Sequence, residues 1–130
     1  MKLVPGLKYS MSDEWVKVDG NMALIGITDY AQSQLSDVVF VEIIVAPGDA
    51  VKKTDIVATL ESVKAAADVA TPVSGKVVGI NESIPQAPED VNSDPYGKAW
   101  MVKVELANPA ELNDLMDSAA YEKYCSERSH

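Results

Sequence analysis

The sequence is poor in the residues that many enzymes use for covalent and metal chemistry. It has one cysteine, Cys125, and one histidine, His130, which is the last of its 130 residues. One cysteine cannot form an internal disulfide, and no histidine near Cys125 in the sequence could activate it as a nucleophile. Hydrolytic triads and histidine-based metal sites are therefore excluded, and we predict neither catalytic residues nor a metal site.

Positive charge and long apolar runs are also scarce. The chain has 11 Lys and Arg against 20 Asp and Glu, a net charge of −9, which disfavours binding to nucleic acid phosphates. No apolar run approaches a membrane span, and the residues from Met1 to Pro5 do not resemble a signal or transit peptide. The single cysteine is typical of a reducing compartment. We therefore predict a cytoplasmic protein, or a mitochondrial one if the chain is a processed eukaryotic product.

The pattern of apolar and polar residues along the chain is mainly that of short β-strands. From 130 residues we predict one domain that spans residues 1–130. Asp19-Gly20 separates two alternating segments as in a tight β-hairpin, because these residues tolerate positive φ. The close spacing of strands and turns favours a barrel or sandwich over a parallel sheet. The predicted strands cover residues 15–18, 22–25, 38–45, 55–61, 73–80 and 99–106.

Helical signals are few and short. Thr28 is placed to cap a short helix over residues 29–32, because its hydroxyl can accept from a backbone N–H of the first turn. Asn108-Pro109, with Glu111 two positions further on, predicts the start of a second helix. The remaining predictions are a helix from Ser118 that carries Tyr121, Tyr124 and Cys125 on one side, and an irregular loop over residues 85–97.

The segment Glu61-Ser62-Val63-Lys64-Ala65 places one lysine among small and apolar residues between two predicted strands. A solvent-exposed lysine is protonated at neutral pH and is a poor nucleophile. Three interpretations stay open: an ordinary solvated lysine, the attachment point of a carried cofactor, and a Schiff-base enzyme that uses Glu61 or Asp68 as acid–base partner. The apolar neighbours favour the attachment point, because a modifying enzyme supplies its own base and needs only an exposed amine on a rigid turn.

Several segments match the motifs of one known family. They are Leu7-Lys8-Tyr9, Glu14-Trp15-Val16, Gly26-Ile27-Thr28-Asp29-Tyr30-Ala31-Gln32, Val39-Phe40-Val41-Glu42, Glu61-Ser62-Val63-Lys64-Ala65-Ala66, Pro72-Val73-Ser74-Gly75, Val91-Asn92, and Pro95-Tyr96-Gly97 with Trp100. Together they resemble the H-protein family of the glycine cleavage system over nearly the whole chain. Biotin carriers usually have methionines beside the lysine, and lipoyl domains of 2-oxoacid dehydrogenases usually have an aspartate before it. This chain has Val63 and Ala65 beside Lys64 and therefore fits neither of these two patterns.

The resemblance implies a mainly β fold of the lipoyl/biotinyl type, a flattened β-barrel (barrel-sandwich hybrid) with a lysine-bearing hairpin and short helices, including a C-terminal one. It also implies lipoate attached covalently to Lys64, with Glu61, Ser62, Val63 and Ala65 recognised at the hairpin. The chain is then a non-catalytic carrier that shuttles the aminomethyl group of glycine. Its implied partners are glycine decarboxylase (P protein, pyridoxal-phosphate-dependent), the tetrahydrofolate-dependent aminomethyltransferase (T protein), dihydrolipoyl dehydrogenase (L protein), and a lipoate ligase or octanoyl/lipoyl transferase.

The family pattern further implies a docking cleft for the loaded arm, lined by Ser12, Glu14 and Asp68. Carboxylates in such a cleft favour the ammonium form of an amine. From the residues alone the alternative stays open that Ser12 caps a turn while both acids are solvated. The alternative function is that of a divergent H-like protein that relays lipoyl groups or serves another redox set.

The chain departs from the family pattern at a few positions. Asp13 stands where the family commonly has histidine, and it adds a negative charge beside the implied cleft. We expect this charge either to help hold an ammonium group or to be merely solvated. The other departures are Ser36 in place of a glycine, Ala70 in place of a common tyrosine, Asp90 in place of an apolar residue, and one extra residue between Glu42 and Gly48.

Overall fold

The computed structural model describes residues 1–128, so the expectation that involves His130 lies outside the described residues. The strands are β1 (Lys8–Tyr9), β2 (Glu14–Asp19), β3 (Met22–Ile27), β4 (Val38–Ile43), β5 (Ala50–Val51), β6 (Ile56–Ser62), β7 (Ala66–Ala70), β8 (Gly75–Ile80) and β9 (Val102–Leu106). The helices are α1 (Asp29–Leu35), α2 (Asp90–Ser93) and α3 (Ser118–Arg128), with a 3-10 helix at Pro109–Asp114.

The strands form two antiparallel sheets. A six-stranded sheet has the order β1-β2-β3-β9-β8-β5, and a three-stranded sheet has the order β4-β6-β7. Buried side chains of both sheets form one apolar cluster, with Ile25 and Val104 from the larger sheet and Val41 and Leu60 from the smaller. Within residues 1–128 neither sheet closes on itself. The predicted mainly β fold is confirmed, as a sandwich of two sheets.

The hairpin between β2 and β3 forms where the sequence predicted it. Asp19 pairs with Met22 at the end of the ladder, and Gly20 in the turn has a φ of 62°. A positive φ carries no steric penalty for glycine, so the Asp-Gly pair fixes the turn and thereby the register of both strands.

Helix α1 begins at its predicted cap and ends in a strained residue. The Thr28 Oγ1 accepts a hydrogen bond from the Ala31 N–H at 3.2 Å. At the other end Ser36 donates its N–H to the Gln32 carbonyl with φ 64° and ψ −151°. These angles lie close to a region of backbone space that glycine occupies almost exclusively. The glycine that the family usually has here therefore has a conformational reason.

We expect Ser36→Gly to stabilise the protein by about 1 kcal/mol. Relief of backbone strain contributes roughly 1–3 kcal/mol, and the greater chain entropy of an unfolded glycine offsets roughly 0.5–1 kcal/mol of it. Ser33→Gly is the matched control, because Ser33 lies inside α1, where glycine is destabilising. Denaturant unfolding of the two variants checks the prediction, and a destabilised Ser36→Gly would contradict it.

Two helix predictions need correction. Asn108 makes no side-chain cap, and the segment that follows is a 3-10 helix. The Glu111 carboxylate is directed elsewhere, since it accepts hydrogen bonds from the Ser74 N–H at 2.7 Å and hydroxyl at 2.8 Å. The loop over residues 85–97 is not wholly irregular, because α2 forms in it around the buried Val91.

The predicted C-terminal helix is confirmed as α3, and it packs on β1. The rings of Tyr9 and Tyr121 stack with their centroids 4.7 Å apart. Cys125 is buried on the same side of the helix, and burial raises the pKa of its thiol, which disfavours a reactive thiolate. Among residues 1–128 we find no helix with the length and apolar character needed to cross a membrane.

Candidate functional site

Lys64 lies at the tip of the hairpin that joins β6 and β7. The ladder closes with Glu61 opposite Ala66, and the Ser62 N–H then donates to the Ala65 carbonyl at 2.8 Å. The Ser62 hydroxyl accepts hydrogen bonds from the N–H groups of Lys64 and Ala65 at 3.1 and 2.9 Å. The Ser62 side chain thus fixes the conformation of the turn, which explains why a serine occupies the position two residues before the lysine.

The tip is exposed and tied to the neighbouring strand. Lys64 is exposed, and within residues 1–128 its amine takes part in no ion pair. The Val63 side chain is 71% exposed while its N–H donates to the Asp37 carbonyl at 3.1 Å. Glu61 is also exposed and lies opposite Phe40 of β4. The backbone is therefore held while the amine is presented to solvent.

A cleft of about 190 Å³ brings together the three residues expected to receive the arm. Asp68 lies on β7, four residues after Lys64, so the two Cα atoms are at most roughly 13 Å apart. Ser12 and Glu14 reach the same cleft from the turn before β2 and from its first residue. The cleft is lined by Ser12, Asp13, Glu14, Ile27, Ala31, Gln34, Leu35, Leu60, Ala67 and Asp68.

Glu14 is buried, contrary to the alternative that it is a solvated surface acid. It is 2% exposed, and its Oε1 accepts hydrogen bonds from the hydroxyls of Ser10 and Ser12, each at 2.6 Å. Its Oε2 accepts from the Ala70 N–H at 3.3 Å. Burial raises the pKa of Glu14, and these three hydrogen bonds oppose the rise without cancelling it. Asp68 is exposed, as the solvated alternative supposed.

Ser10 is a site residue that the sequence reasoning missed. It is buried, and it both donates to the Glu14 carboxylate and accepts from the Glu14 N–H at 3.0 Å. The sequence signal is slight, namely a second serine two positions before Ser12. Ala70 contributes only its backbone N–H, so the exchange of tyrosine for alanine leaves that hydrogen bond intact.

Asp13 lines the cleft and is already paired with side chains of the C-terminal helix. Its carboxylate forms an ion pair with Arg128 and accepts a hydrogen bond from the Tyr121 hydroxyl at 2.8 Å. The expectation that Asp13 is merely solvated was therefore wrong, because its partners lie on α3, more than 100 positions away in the sequence. Its help in holding an ammonium group stays a prediction. In the described part of the chain no group of three or more His, Cys, Asp or Glu side chains is arranged to hold a metal ion.

The raised pKa of Glu14 gives a prediction for stability against pH. The folded state keeps the Glu14 proton to higher pH than the unfolded state, so its contribution is fully present below the unfolded pKa. That contribution is lost as the pH rises through the folded pKa. We therefore expect the free energy of unfolding of the wild type, relative to Glu14→Gln, to fall as the pH rises above 4.5, the ordinary pKa of a glutamate. Urea unfolding at several pH values measures it, and a constant difference would contradict the prediction.

A lysine presented at a stiff hairpin of a two-sheet β domain, beside a cleft that the following strand helps to line, is the arrangement of the lipoyl/biotinyl type of fold. A model of the family described as glycine cleavage H-protein matches residues 7–128. The chain belongs to this family.

Individual relatives and a solved structure agree with that assignment. The glycine cleavage system H protein of Carboxydothermus hydrogenoformans is 52% identical over 128 residues, which cover 98% of each chain. The mitochondrial H protein 2 of Arabidopsis thaliana is 50% identical over 93% of this chain and 77% of its own. The crystal structure of the H protein from Mycobacterium marinum superposes with a TM-score of 0.83 at 25% identity and covers 98% of this chain and 100% of the other.

Proposed function

We propose that this chain is the lipoyl carrier of glycine cleavage, with lipoate bound as an amide to Lys64. The observation that carries the proposal is the placement of an exposed lysine at a fixed turn, four residues before Asp68 in the cleft that Ser12 and Glu14 also line. Small residues, Ala65 to Ala67, lie between the two. When bound, lipoate supplies a dithiolane that accepts the aminomethyl group of glycine.

The residues of the cleft are suited to protecting that cargo. A carbon bonded to both sulfur and nitrogen breaks down readily, because the nitrogen lone pair expels the thiolate. Protonation of the amine removes that lone pair, and the carboxylates of Glu14 and Asp68 favour the protonated form. An ammonium group beside Glu14 in turn favours its carboxylate, which offsets part of the burial penalty. Ile27 and Leu35 give the cleft apolar walls, which limit the access of water to a docked cargo.

In this proposal the chain is one carrier domain, residues 1–130, and performs no turnover alone. The P and T proteins act on the cargo, the L protein reoxidises the dithiol arm, and a lipoate ligase or an octanoyl/lipoyl transferase recognises Glu61 to Ala65 and modifies Lys64. The lone cysteine supports a reducing compartment, the cytoplasm or, for a processed eukaryotic chain, the mitochondrion. The Schiff-base alternative has little support, because Lys64 is exposed rather than enclosed, whereas a lysine enzyme depends on an environment that deprotonates its amine.

Reconstitution tests the proposal. The lipoylated chain is combined with the three partner enzymes, glycine, tetrahydrofolate and NAD, and formation of NADH is followed. We expect NADH that depends on glycine and on tetrahydrofolate, and none with the same chain left unlipoylated. A chain that accepts lipoate but supports no glycine-dependent NADH formation would contradict the role in glycine cleavage and favour the divergent H-like alternative.

A further inference from the structure

The turn from Ser10 to Asp13 carries Ser12 to the lip of the cleft, and it has an unusual backbone. Asp13 has a φ of 75°, in the left-handed region that non-glycine residues rarely adopt. Its N–H donates to the Ser10 carbonyl at 3.2 Å, and its carbonyl accepts from the Thr28 N–H at 3.0 Å. Side chains of the C-terminal helix α3 make further contacts with the same turn.

Arg128, the last residue of α3, makes several of these contacts. Its guanidinium lies against the rings of Tyr30 and Tyr124, at 4.3 and 4.4 Å from their centroids. It forms the ion pair with Asp13 and donates from Nη1 to the Met11 carbonyl at 3.3 Å. A planar cation held between two rings has little freedom to leave its partner.

Two tyrosines of α3 complete the connection. The Tyr124 hydroxyl donates to the Met11 carbonyl at 3.0 Å. The Tyr121 hydroxyl donates to the Asp13 carboxylate and therefore accepts from the Thr28 hydroxyl, 2.7 Å away. The helix thus holds the turn at both Met11 and Asp13, on either side of Ser12.

The charge balance beside Glu14 depends on this arrangement. Asp13 precedes Glu14 and lines the same cleft, and its negative charge contributes to the raised pKa of Glu14. The Asp13 and Arg128 side chains are only 21% and 26% exposed, so solvent and salt screen the pair less than a surface pair. The other charged groups near Glu14 are Asp68 in this cleft, and Lys53 and Asp114 in a neighbouring cavity of about 340 Å³.

We propose that Arg128 is a positioning residue, which holds the Ser10–Asp13 turn from the C-terminal helix and keeps Asp13 from acting as a second unmatched negative charge beside Glu14. The cleft then offers one buried carboxyl group, whose ionisation responds to what docks against it. This inference depends on the proposed function only where it concerns the carrier cycle, since the contacts between Arg128 and the Ser10–Asp13 turn exist without lipoate.

The test is a titration of the Glu14 carboxyl by carbon-detected NMR in the full, unlipoylated chain. We expect Arg128→Met to raise the pKa of Glu14 by about half a unit, because Asp13 is left unmatched. The double variant Asp13→Asn/Arg128→Met is expected to restore it. Lys123→Met, which removes a positive charge from the exposed side of the same helix, is the matched control and should leave it unchanged.

Asp13→Asn alone keeps the experiment decisive if Arg128→Met does not fold. That variant leaves the Arg128 charge unmatched, so we expect the pKa of Glu14 to fall, opposite to the change in Arg128→Met. An unchanged pKa in both variants, or a rise that Asp13→Asn fails to reverse, would overturn the proposal. The readout needs no lipoate and no partner enzyme, so a failure here is distinct from a failure of the proposed carrier function.

Discussion

Lys64→Arg is expected to abolish covalent lipoylation. Arginine keeps the positive charge and most of the length of lysine, but its guanidinium does not lose a proton under these conditions and cannot attack an activated acyl group. Lys64 is exposed and its side chain makes no ion pair among residues 1–128, so the substitution should leave the fold intact. Intact mass after incubation with lipoate, ATP and a lipoate ligase measures the result, with one adduct expected on the wild type and none on the variant.

Two other lysines, at the opposite end of β6, provide matched controls for that experiment. Lys52 and Lys53 also lie in a turn, between β5 and β6, and their arginine variants should take one adduct like the wild type. An adduct that persists in Lys64→Arg would refute the attachment site. Trapping of a carbonyl compound on Lys64 with borohydride would instead favour the Schiff-base interpretation.

Local features of the fold could be predicted because single residues determine them. Gly20 at positive φ sets the β2–β3 turn, and Thr28 caps α1 through its own hydroxyl. The strand order could not be predicted in this way, because β9 pairs with both β3 and β8, and periodicity along one strand says nothing about its neighbours. The cap at Asn108 failed for a similar reason, since Glu111 hydrogen-bonds to the distant Ser74.

The same distinction between local features and long-range contacts holds for the candidate site. Lys64 could be located from its unusual neighbours, and Ser12, Glu14 and Asp68 from the family pattern. The burial of Glu14 could not be read from the sequence, because it depends on Ser10 and on the Ala70 N–H of β7. The ion pair between Asp13 and Arg128 joins residues 115 positions apart. What the sequence could not show is therefore the set of long-range contacts that determines the electrostatics of the cleft.

Glu14→Ala is expected to speed loss of the aminomethyl group from the loaded protein by about 10-fold to 100-fold. Removal of a buried charged hydrogen-bond partner costs about 1.5–3 kcal/mol, and each 1.4 kcal/mol is a factor of ten. Without the carboxylate the amine of the cargo loses its proton more readily, and the Ser10 and Ser12 hydroxyls lose their acceptor. The measurement is the decay of the loaded species, followed by intact mass after removal of the P protein and glycine.

Two further variants separate charge from packing in that result. Glu14→Gln keeps the volume and lets the serine hydroxyls turn to accept from its amide, so it should decay nearly as fast as Glu14→Ala if the charge is what protects the cargo. Asp68→Asn removes an exposed carboxylate, for which only a few-fold change is expected, because exposed ion pairs contribute about 1 kcal/mol at most. A decay rate unchanged in Glu14→Ala would remove Glu14 from the docking site. A slow Glu14→Gln beside a fast Glu14→Ala would show that the cleft protects by shape and exclusion of water rather than by charge.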